Sequence, residues 1–366
     1  MTAVQVKTRR WTIEQPHASV DQLKREIGIR EAAAMLREGK LVAFPTETVY
    51  GLGADARSDE AVMKIFQAKG RPSDNPLIVH IGERDQLDGL VSALPDAGRV
   101  LIERFWPGPL TLILPHRGTV APSVTAGLHT VGVRMPSHPV ALALLQETGV
   151  PVAAPSANRS GRPSPTEAEH VWEDLAGKID GLLDGGPAGV GVESTVVDVT
   201  EKVPILLRPG GIPLEALKDA VGEVRVDPGL QAEVQRPRSP GMKYRHYAPN
   251  GEMWLVTGTE ADMMRTIQRL ADDAAAQGRR VGILTTDERL MRYEADWVVS
   301  CGKRSEPDSV ARGLYAALRR FDELGADYIL AESFPDDGIW FTVMNRLRKA
   351  AEGRIIHAEE DSRGDC

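Results

Sequence analysis

Two cations flank a glycine in the stretch KGRPSDNPLIVH, which runs from Lys69 to His80. Residues 59–68 predict a helix, because Gly70 suits a left-handed helix end and the proline two positions later prevents continuation. Lys69 and Arg71 therefore leave the helix on a stiff loop that leads into an apolar run. Such cations can bind an anionic substrate. Taken alone, the commoner interpretation is that they interact with the helix dipole.

Other segments place cations or hydroxyl groups where a predicted strand ends. Arg134 ends the strand in VGVRMP, and Arg208 ends the strand in ILLRPGGI. Two further loops contribute small polar side chains: Ser156, Asn158, Ser160, Ser164, Ser194 and Thr195. In open α/β sheets, ligands bind at loops of this kind. One arginine alone would be solvated or paired with a surface carboxylate, but all of these groups together favour a cleft for a nucleoside triphosphate.

Most standard catalytic motifs are absent from the sequence. There is no Walker A sequence, and GLGADA (residues 51–56) opens no clear helix, so it is predicted to be a turn. The eight histidines lack metal-ligand spacing and the two cysteines are far apart, so no protein-built zinc site is expected. His80 would by default be a hydrogen-bonded core histidine. No Ser-His-Asp or Cys-His arrangement indicates covalent catalysis.

The composition is that of an ordinary globular protein. The chain has 366 residues, 42% of them hydrophobic, and a formal net charge of −8. The acidic balance disfavours an extended surface for nucleic acid, although a local basic cleft remains compatible with it. Two cysteines make no disulfide framework, and no signal peptide or membrane span is recognisable, so a cytoplasmic location is expected.

Apolar runs alternate with helical patterns, which is typical of an α/β protein. The patterns predict helices at 28–38, 59–68, 139–148 (with Ser137 as its cap), 261–277, 309–324 and 342–351. They predict strands at 41–44, 77–81, 110–114, 131–134, 152–154, 194–199, 205–207, 253–257, 281–285, 297–300 and 328–331. A proline-rich, non-periodic segment near residues 222–250 reads as a linker. Two domains are therefore predicted, the second smaller than the first.

Seven motifs occur in an order that resembles one family: PTETVYGLGADA, KGRPSDNPLIVHI, FWPGPLTLIL, VGVRMPSHP, APSANRSGRPSPT, GVESTVVDV and LRPGG. They are similar to the threonylcarbamoyl-AMP synthases, the YrdC/Sua5 family. The segment SPGMKYRHYAP and the second domain resemble the longer Sua5 type. The resemblance implies a YrdC-like twisted open-sheet catalytic domain over residues 1–222, a linker or lid over 223–250, and a smaller Rossmann-like α/β Sua5 domain over 251–366.

The resemblance also implies an activity and partners. A nucleotidyltransferase of this family would condense L-threonine, bicarbonate or CO2, and ATP into threonylcarbamoyl-AMP, with release of pyrophosphate. Mg2+ would be bound mainly through the phosphates. The product would pass to a separate threonylcarbamoyl transferase complex for the t6A modification of tRNA, so little direct tRNA binding and no membrane partner are expected.

Residue by residue, the resemblance implies two sets of contacts. Those on the threonine side are Thr48, His80, Arg134, Ser194 and the backbone of Ala154. Those on the ATP side are Lys69, Arg71, Asn75, Thr130, Ser156, Asn158, Ser164 and Arg208, with Tyr247 and His246 closing over the nucleotide. Lys69 and Arg71 are the predicted catalytic cations.

Two other functions are compatible with parts of the sequence. An RNA-binding module would also use a concave basic cleft, but the acidic net charge and the lack of basic stretches with interleaved aromatics disfavour it. A carbamoyltransferase that uses carbamoyl phosphate is disfavoured because the acylphosphatase and zinc-finger segments of such enzymes are absent. The second domain offers no motif that the sequence links to chemistry.

Overall fold

The computed structural model describes residues 6–230 and 247–358. The chain divides into two compact units, Met1–Ser160 with Ser164–Tyr244 and Gly161–Pro163 with Arg245–Cys366. The three residues 161–163 come from the loop APSANRSGRPSPT but belong to the second unit. No helix of the described residues is long and apolar enough to cross a membrane.

The first unit contains strands β1 to β11 and helices α1 to α9. The strands are β1 (Arg9–Thr12), β2 (Val42–Phe44), β3 (Gly51–Asp55), β4 (Ile78–His80), β5 (Leu110–Pro115), β6 (Thr130–Arg134), β7 (Val152–Ala153), β8 (Gly181–Asp184), β9 (Thr195–Asp198), β10 (Ile205–Arg208) and β11 (Arg225–Val226). The helices are α1 (Val20–Leu23), α2 (Ile27–Arg37), α3 (Asp59–Lys69), α4 (Gln86–Leu90), α5 (Asp96–Phe105), α6 (Pro122–Thr125), α7 (Pro139–Thr148), α8 (Ala168–Leu175) and α9 (Leu214–Val221).

These strands form one mixed sheet of eleven, in the order β1-β8-β2-β3-β7-β4-β6-β5-β9-β10-β11. In its centre β4 and β6 are parallel, whereas β7 and β5 run antiparallel to them. Helices α2 and α7 pack on the sheet through fully buried side chains such as Ile29, Leu36 and Leu144. Burial of such side chains contributes about 1.5–3 kcal/mol each to folding. Polar side chains at the strand ends are thereby held on a rigid frame.

Two local predictions are wrong. The segment GLGADA is not a turn, because Gly51–Asp55 forms the fully buried strand β3 between β2 and β7. A Cβ on Gly53 would lie 2.8 Å from Val152 Cγ1, so this glycine permits close packing. The cap of α7 is not Ser137 but His138, whose imidazole accepts a hydrogen bond from the Val140 amide.

The second unit is a parallel α/β layer structure. Its strands are β12 (Glu252–Thr257), β13 (Val281–Thr285), β14 (Trp297–Ser300), β15 (Tyr328–Glu332) and β16 (Ile355–His357), and its helices are α10 (Glu260–Ala276), α11 (Pro307–Leu324) and α12 (Gly338–Ala350). All five strands are parallel, in the order β14-β13-β15-β12-β16. The Rossmann-like expectation is therefore confirmed.

Candidate active site

Lys69 is the last residue of α3, and its side chain is buried. The helix starts at the Ser58 cap and stops at Gly70, whose φ of 61° is the left-handed conformation that glycine tolerates. The Lys69 ammonium group donates hydrogen bonds to the carbonyl oxygens of Ser156 and Asn158, the second at 2.7 Å. Lys69 therefore ties α3 to the loop that follows β7 and fixes the polar side chains of that loop.

Arg71 and Asn75 lie on the loop between α3 and β4. Nη2 of the partly exposed Arg71 donates to the carbonyl oxygen of Asn75 at 3.1 Å. The side chain of Asn75 is fully buried, and within the described residues neither its Nδ2 nor its Oδ1 has a hydrogen-bond partner. A buried amide without partners is costly. Asn75 is therefore suited to a ligand that supplies both a donor and an acceptor.

Arg134 and Thr48 form the centre of the predicted threonine side. Arg134 ends β6 and is 4% exposed, and its Nη1 donates to Thr48 Oγ1 at 2.9 Å. Thr48 Oγ1 also lies 2.8 Å from Thr46 Oγ1, so a second hydroxyl group is linked to the guanidinium through Thr48. Glu47, next to Thr48, lies 2.7 Å from Arg134 Nη2. A guanidinium held in one orientation is a ready receptor for a carboxylate.

His80 lies at the end of β4, opposite Arg134 in the parallel register. Burial, together with the nearby cations Arg134 and Arg208, lowers the pKa of His80 to about 3. The ring is therefore neutral at physiological pH. Its Nδ1 lies 3.2 Å from the Ile78 carbonyl oxygen, which fixes Nδ1–H as the donor and leaves Nε2 as an acceptor.

A second arginine–hydroxyl pair joins three strands. Arg208 Nη2 donates to Ser194 Oγ at 3.0 Å, and Arg208 Nε donates to the Ser194 carbonyl oxygen at 3.0 Å. Ser194 Oγ also lies 2.8 Å from the hydroxyl of Thr111, which is opposite Arg134 in β5. A Cβ on Gly210 would lie 2.3 Å from the Thr195 nitrogen, so only glycine allows this loop to approach β9.

The loop after β7 supplies the remaining polar side chains. Ser156 Oγ donates to Asn158 Oδ1 at 2.6 Å, and Asn158 Nδ2 donates to the backbone carbonyl next to it. Ser164 is 1% exposed and donates to Glu193 Oε1 at 2.6 Å. Ala154 donates its backbone N–H to the Ile78 carbonyl oxygen at 2.9 Å.

The predicted residues extend along the strands from one end to the other. His80 and Arg134 lie at the carboxyl ends of β4 and β6. Thr130 starts β6 and, in the register of β4 with β6, lies level with Pro76. Pro76 precedes His80 by four residues, so the Thr130 end of the strands lies about 13 Å from the His80 end. Asn75 lies at this second end. Such a length fits two ligands placed end to end better than one small ligand.

Tyr247 belongs to the second unit, and His246 lies outside the described residues. The Tyr247 ring stacks on Tyr315 with ring centroids 5.2 Å apart, and the Arg346 guanidinium lies 5.3 Å from its centroid. Tyr247 has a φ of 63°, a strained conformation for a side chain of this size. The expectation that both residues cover the nucleotide stays a prediction.

Sequence reasoning missed three polar residues of the first unit: Glu47, Thr111 and Glu193. Thr111 gave no signal, because it lies within an apolar strand and its partner Ser194 is 83 positions away. Like Thr111, which lies in FWPGPLTLIL, Glu193 and Glu47 lie inside motifs shared with the family, but a single carboxylate in the sequence does not show that it will be buried.

The arrangement suits electrostatic stabilisation of anions. The described residues contain no group of three or more His, Cys, Asp or Glu side chains that could hold a metal ion. The cations and hydroxyl groups suit phosphates and a carboxylate, and a magnesium ion can be held by phosphates with few protein ligands. The site residues are therefore compatible with a metal that enters with a nucleotide.

The second unit contains a buried network of its own around Glu332, which is 1% exposed. Its Oε1 accepts from Thr285 Oγ1 at 2.6 Å and from the Tyr293 hydroxyl at 2.8 Å. Its Oε2 accepts from Arg289 at 2.6 Å and from Arg304 at 3.1 Å. Four donors saturate this carboxylate, so the network is first of all structural.

A mixed eleven-stranded sheet with paired arginines and hydroxyls, followed by a parallel α/β unit, defines a two-domain protein of the Sua5 type. Residues 34–210 match the family profile Sua5_yciO_yrdC, described as telomere recombination. Residues 212–352 match the profile described as the threonylcarbamoyl-AMP synthase C-terminal domain. The chain belongs to the threonylcarbamoyl-AMP synthase family, as its motifs predicted.

Individual relatives match over nearly their whole length. The threonylcarbamoyl-AMP synthase of Bacillus subtilis is 54% identical over 96% of this chain and 100% of its own length. That of Pyrococcus abyssi is 51% identical over 90% of this chain and 95% of its own. A solved structure of P. abyssi Sua5 complexed with L-threonine has a TM-score of 0.87 and 47% identity, and covers 97% of this chain and 99% of its own. The predicted fold class is confirmed.

Proposed function

We propose that this protein is an L-threonylcarbamoyladenylate synthase, a nucleotidyltransferase that forms threonylcarbamoyl-AMP and pyrophosphate from L-threonine, bicarbonate or CO2, and ATP. The observation that carries the proposal is the pair of buried arginine–hydroxyl contacts, Arg134 with Thr48 and Arg208 with Ser194, on one sheet. The relative from P. abyssi that was solved with L-threonine supports the same amino acid as substrate.

Threonine is placed at the carboxyl end of β4 and β6 in this proposal. Its contacts are Thr48, His80, Arg134, Ala154 and Ser194. Arg134 pairs with the threonine carboxylate, since a fixed guanidinium matches the geometry of a carboxylate. Neutral His80 accepts a hydrogen bond from the threonine hydroxyl through Nε2, because its Nδ1–H is already used by the backbone.

ATP is placed from the Asn75 and Thr130 end of the same strands toward Arg208, which lies level with Arg134 in the sheet. Its contacts are Lys69, Arg71, Asn75, Thr130, Ser156, Asn158, Ser164 and Arg208, with His246 and Tyr247 as further contacts. Asn75 suits the adenine edge or a phosphate–sugar contact, since both of its amide atoms lack partners in the described residues. Arg71 supplies charge to the triphosphate, whereas Lys69 acts mainly by holding the loop of Ser156 and Asn158.

The chemistry then needs positioning and charge rather than a protein nucleophile. The threonine ammonium first loses a proton to solvent, and the free amine attacks CO2 with loss of a second proton to give a carbamate. A carbamate oxygen then attacks the α-phosphorus of ATP, and the bond to pyrophosphate breaks. The anionic carbamate must approach the anionic triphosphate, and negative charge then develops on the departing pyrophosphate. The surrounding cations lower the barrier by stabilising this charge. Mg2+ that enters with ATP would supply further neutralisation of this charge.

The product is a mixed anhydride of a carbamate and AMP, which is activated for transfer. A separate threonylcarbamoyl transferase complex is the proposed acceptor of the product, for t6A formation in tRNA. This chain would bind little tRNA itself, because its net charge is −8. The same proposal places the protein in the cytoplasm.

The test is to incubate the protein with ATP, Mg2+, bicarbonate and each amino acid in turn, and to measure pyrophosphate release. We expect release with L-threonine to exceed that with alanine or valine by tenfold or more. Release that is independent of threonine would contradict the proposal. RNA binding with a steep salt dependence and without pyrophosphate release would instead support the RNA-binding module.

A further inference from the structure

Glu47 is a buried carboxylate with unused hydrogen-bonding capacity. Its side chain is 13% exposed, and its Oε1 lies 2.7 Å from Nη2 of Arg134, whose side chain is 5% exposed. Within the described residues, Oε1 and Oε2 of Glu47 and Nη2 of Arg134 have no hydrogen-bond partner. The two side chains therefore attract each other by charge, but their donor and acceptor atoms are not satisfied.

The rest of the Arg134 guanidinium is already fixed. Its Nη1 donates to Thr48 Oγ1 at 2.9 Å, and its Nε points to the Gly108 carbonyl oxygen at 3.4 Å. The open capacity is therefore concentrated in Nη2 of Arg134 and the two oxygens of Glu47. Unmade hydrogen bonds of buried polar groups are costly and call for a ligand that completes them.

A ligand for this ion pair must bring both an anionic acceptor and a cationic donor. A zwitterion satisfies this condition, and a neutral pair that binds a neutral zwitterion buries no net charge. Among threonine, bicarbonate and ATP, only threonine has cationic N–H donors. This step rests on the proposed function, which supplies the three candidates.

We propose that Glu47 binds the α-ammonium group of threonine, while Arg134 Nη2 binds its carboxylate. Glu47 is thus a specificity-determining residue that selects α-amino acids against hydroxy acids of the same shape. It also fixes the nitrogen that becomes part of the carbamate.

The experiment compares two ligands by equilibrium binding to the full chain. L-Threonine and 3-hydroxybutanoate share a carboxylate and a β-hydroxyl, but only threonine has the amine. The variants are Glu47→Gln, which removes the charge at nearly constant volume, and Glu83→Gln as an exposed control. Glu47→Gln should weaken threonine binding by about 10-fold or more and change 3-hydroxybutanoate binding by less than about threefold, because a charge-assisted hydrogen bond is lost only for the amine. The control should change neither.

Equal weakening of both ligands would overturn the proposal, because it would show that Glu47 only orients Arg134. Unchanged threonine binding in Glu47→Gln would overturn it as well. A wild-type chain that binds no threonine would instead refute the proposed function. Glu47→Asp, which keeps the charge, gives a second test if the glutamine variant does not fold: its preference for threonine over 3-hydroxybutanoate should persist, and loss of that preference would count against the proposal.

Discussion

Lys69 and Arg71 stand two positions apart but act differently in the folded chain. The Lys69 ammonium group is buried against the carbonyl oxygens of Ser156 and Asn158, whereas Arg71 is partly exposed on the turn that follows. Helix geometry explains the difference, because Gly70 reverses the chain between them. The two cations therefore call for different experiments.

Arg71→Ala should lower threonine-dependent pyrophosphate release by about 100-fold or more, because one fixed donor to developing charge contributes about that much. The thermal midpoint of Arg71→Ala should change little, since the Arg71 side chain is not fully buried.

Lys69→Ala should lower both the activity and the free energy of unfolding, the latter by about 1–3 kcal/mol, because buried carbonyl oxygens lose their donor. Activity assays with thermal unfolding check both variants, and near-normal turnover of Arg71→Ala would contradict the site assignment.

His80 gives a prediction for acid stability. Its pKa in the folded chain is about 3, below the usual value of 6.5, so the unfolded chain binds more protons between these limits. The contribution of neutral His80 to the free energy of unfolding is therefore fully present above about pH 6.5, and it is lost as the pH falls toward 3. His80→Asn should reduce the slope of unfolding free energy against pH in this window by up to about 1.4 kcal/mol per pH unit. Urea unfolding at several pH values measures it, and an unchanged slope would contradict a neutral His80.

At the scale of elements, the strand ends could be predicted far better than the contacts among them. Apolar runs bounded by proline or glycine predicted β5, β6 and β13 within one residue of each end. Strand β3 was missed, because its glycines resemble a turn and only its neighbours Phe44 and Val152 show why they are needed. The Thr111–Ser194 contact depends on the pairing of β5 with β9, which local sequence does not encode.

Gly210 shows how one loop positions the site. A Cβ there would lie 2.3 Å from both the Glu193 oxygen and the Thr195 nitrogen, which are backbone atoms that cannot move aside. Gly210→Ala should therefore displace the Ser194–Arg208 contact and weaken threonine binding by about 10-fold or more. Gly89→Ala is the matched control. Gly89 lies in α4, and a Cβ at this position would have no atom within 4 Å. Equal binding by the two variants would contradict this role of Gly210.

At the scale of the whole molecule, an acidic chain still concentrates several cations in one proposed site. The net charge is −8, yet the proposed site of the first unit contains four cations: Lys69, Arg71, Arg134 and Arg208. The net charge disfavours an extended surface for nucleic acid, but it could not predict this local concentration of cations. The sequence suggested no chemistry for the second unit. In the structure this unit contains the buried carboxylate of Glu332, which accepts hydrogen bonds from four side chains.

That carboxylate gives the prediction for the second unit. Glu332→Gln leaves Arg289 and Arg304 without a buried counter-charge, which should lower the free energy of unfolding by about 3–5 kcal/mol. Glu306→Gln removes only an exposed ion pair with Lys303 and should change it by less than about 1 kcal/mol. Chemical unfolding of both variants, followed by a probe in the second unit, measures the difference. Equal stability would contradict the structural role of the Glu332 network.

In the proposed reaction, one chain joins threonine, a one-carbon unit and ATP into an adenylate. The most direct measurement is mass spectrometry of the product formed from L-threonine, ATP, Mg2+ and carbon-13 bicarbonate. We expect threonylcarbamoyl-AMP that carries the labelled carbon, in amounts equal to the pyrophosphate released. An unlabelled adenylate, such as threonyl-AMP formed without bicarbonate, would contradict it.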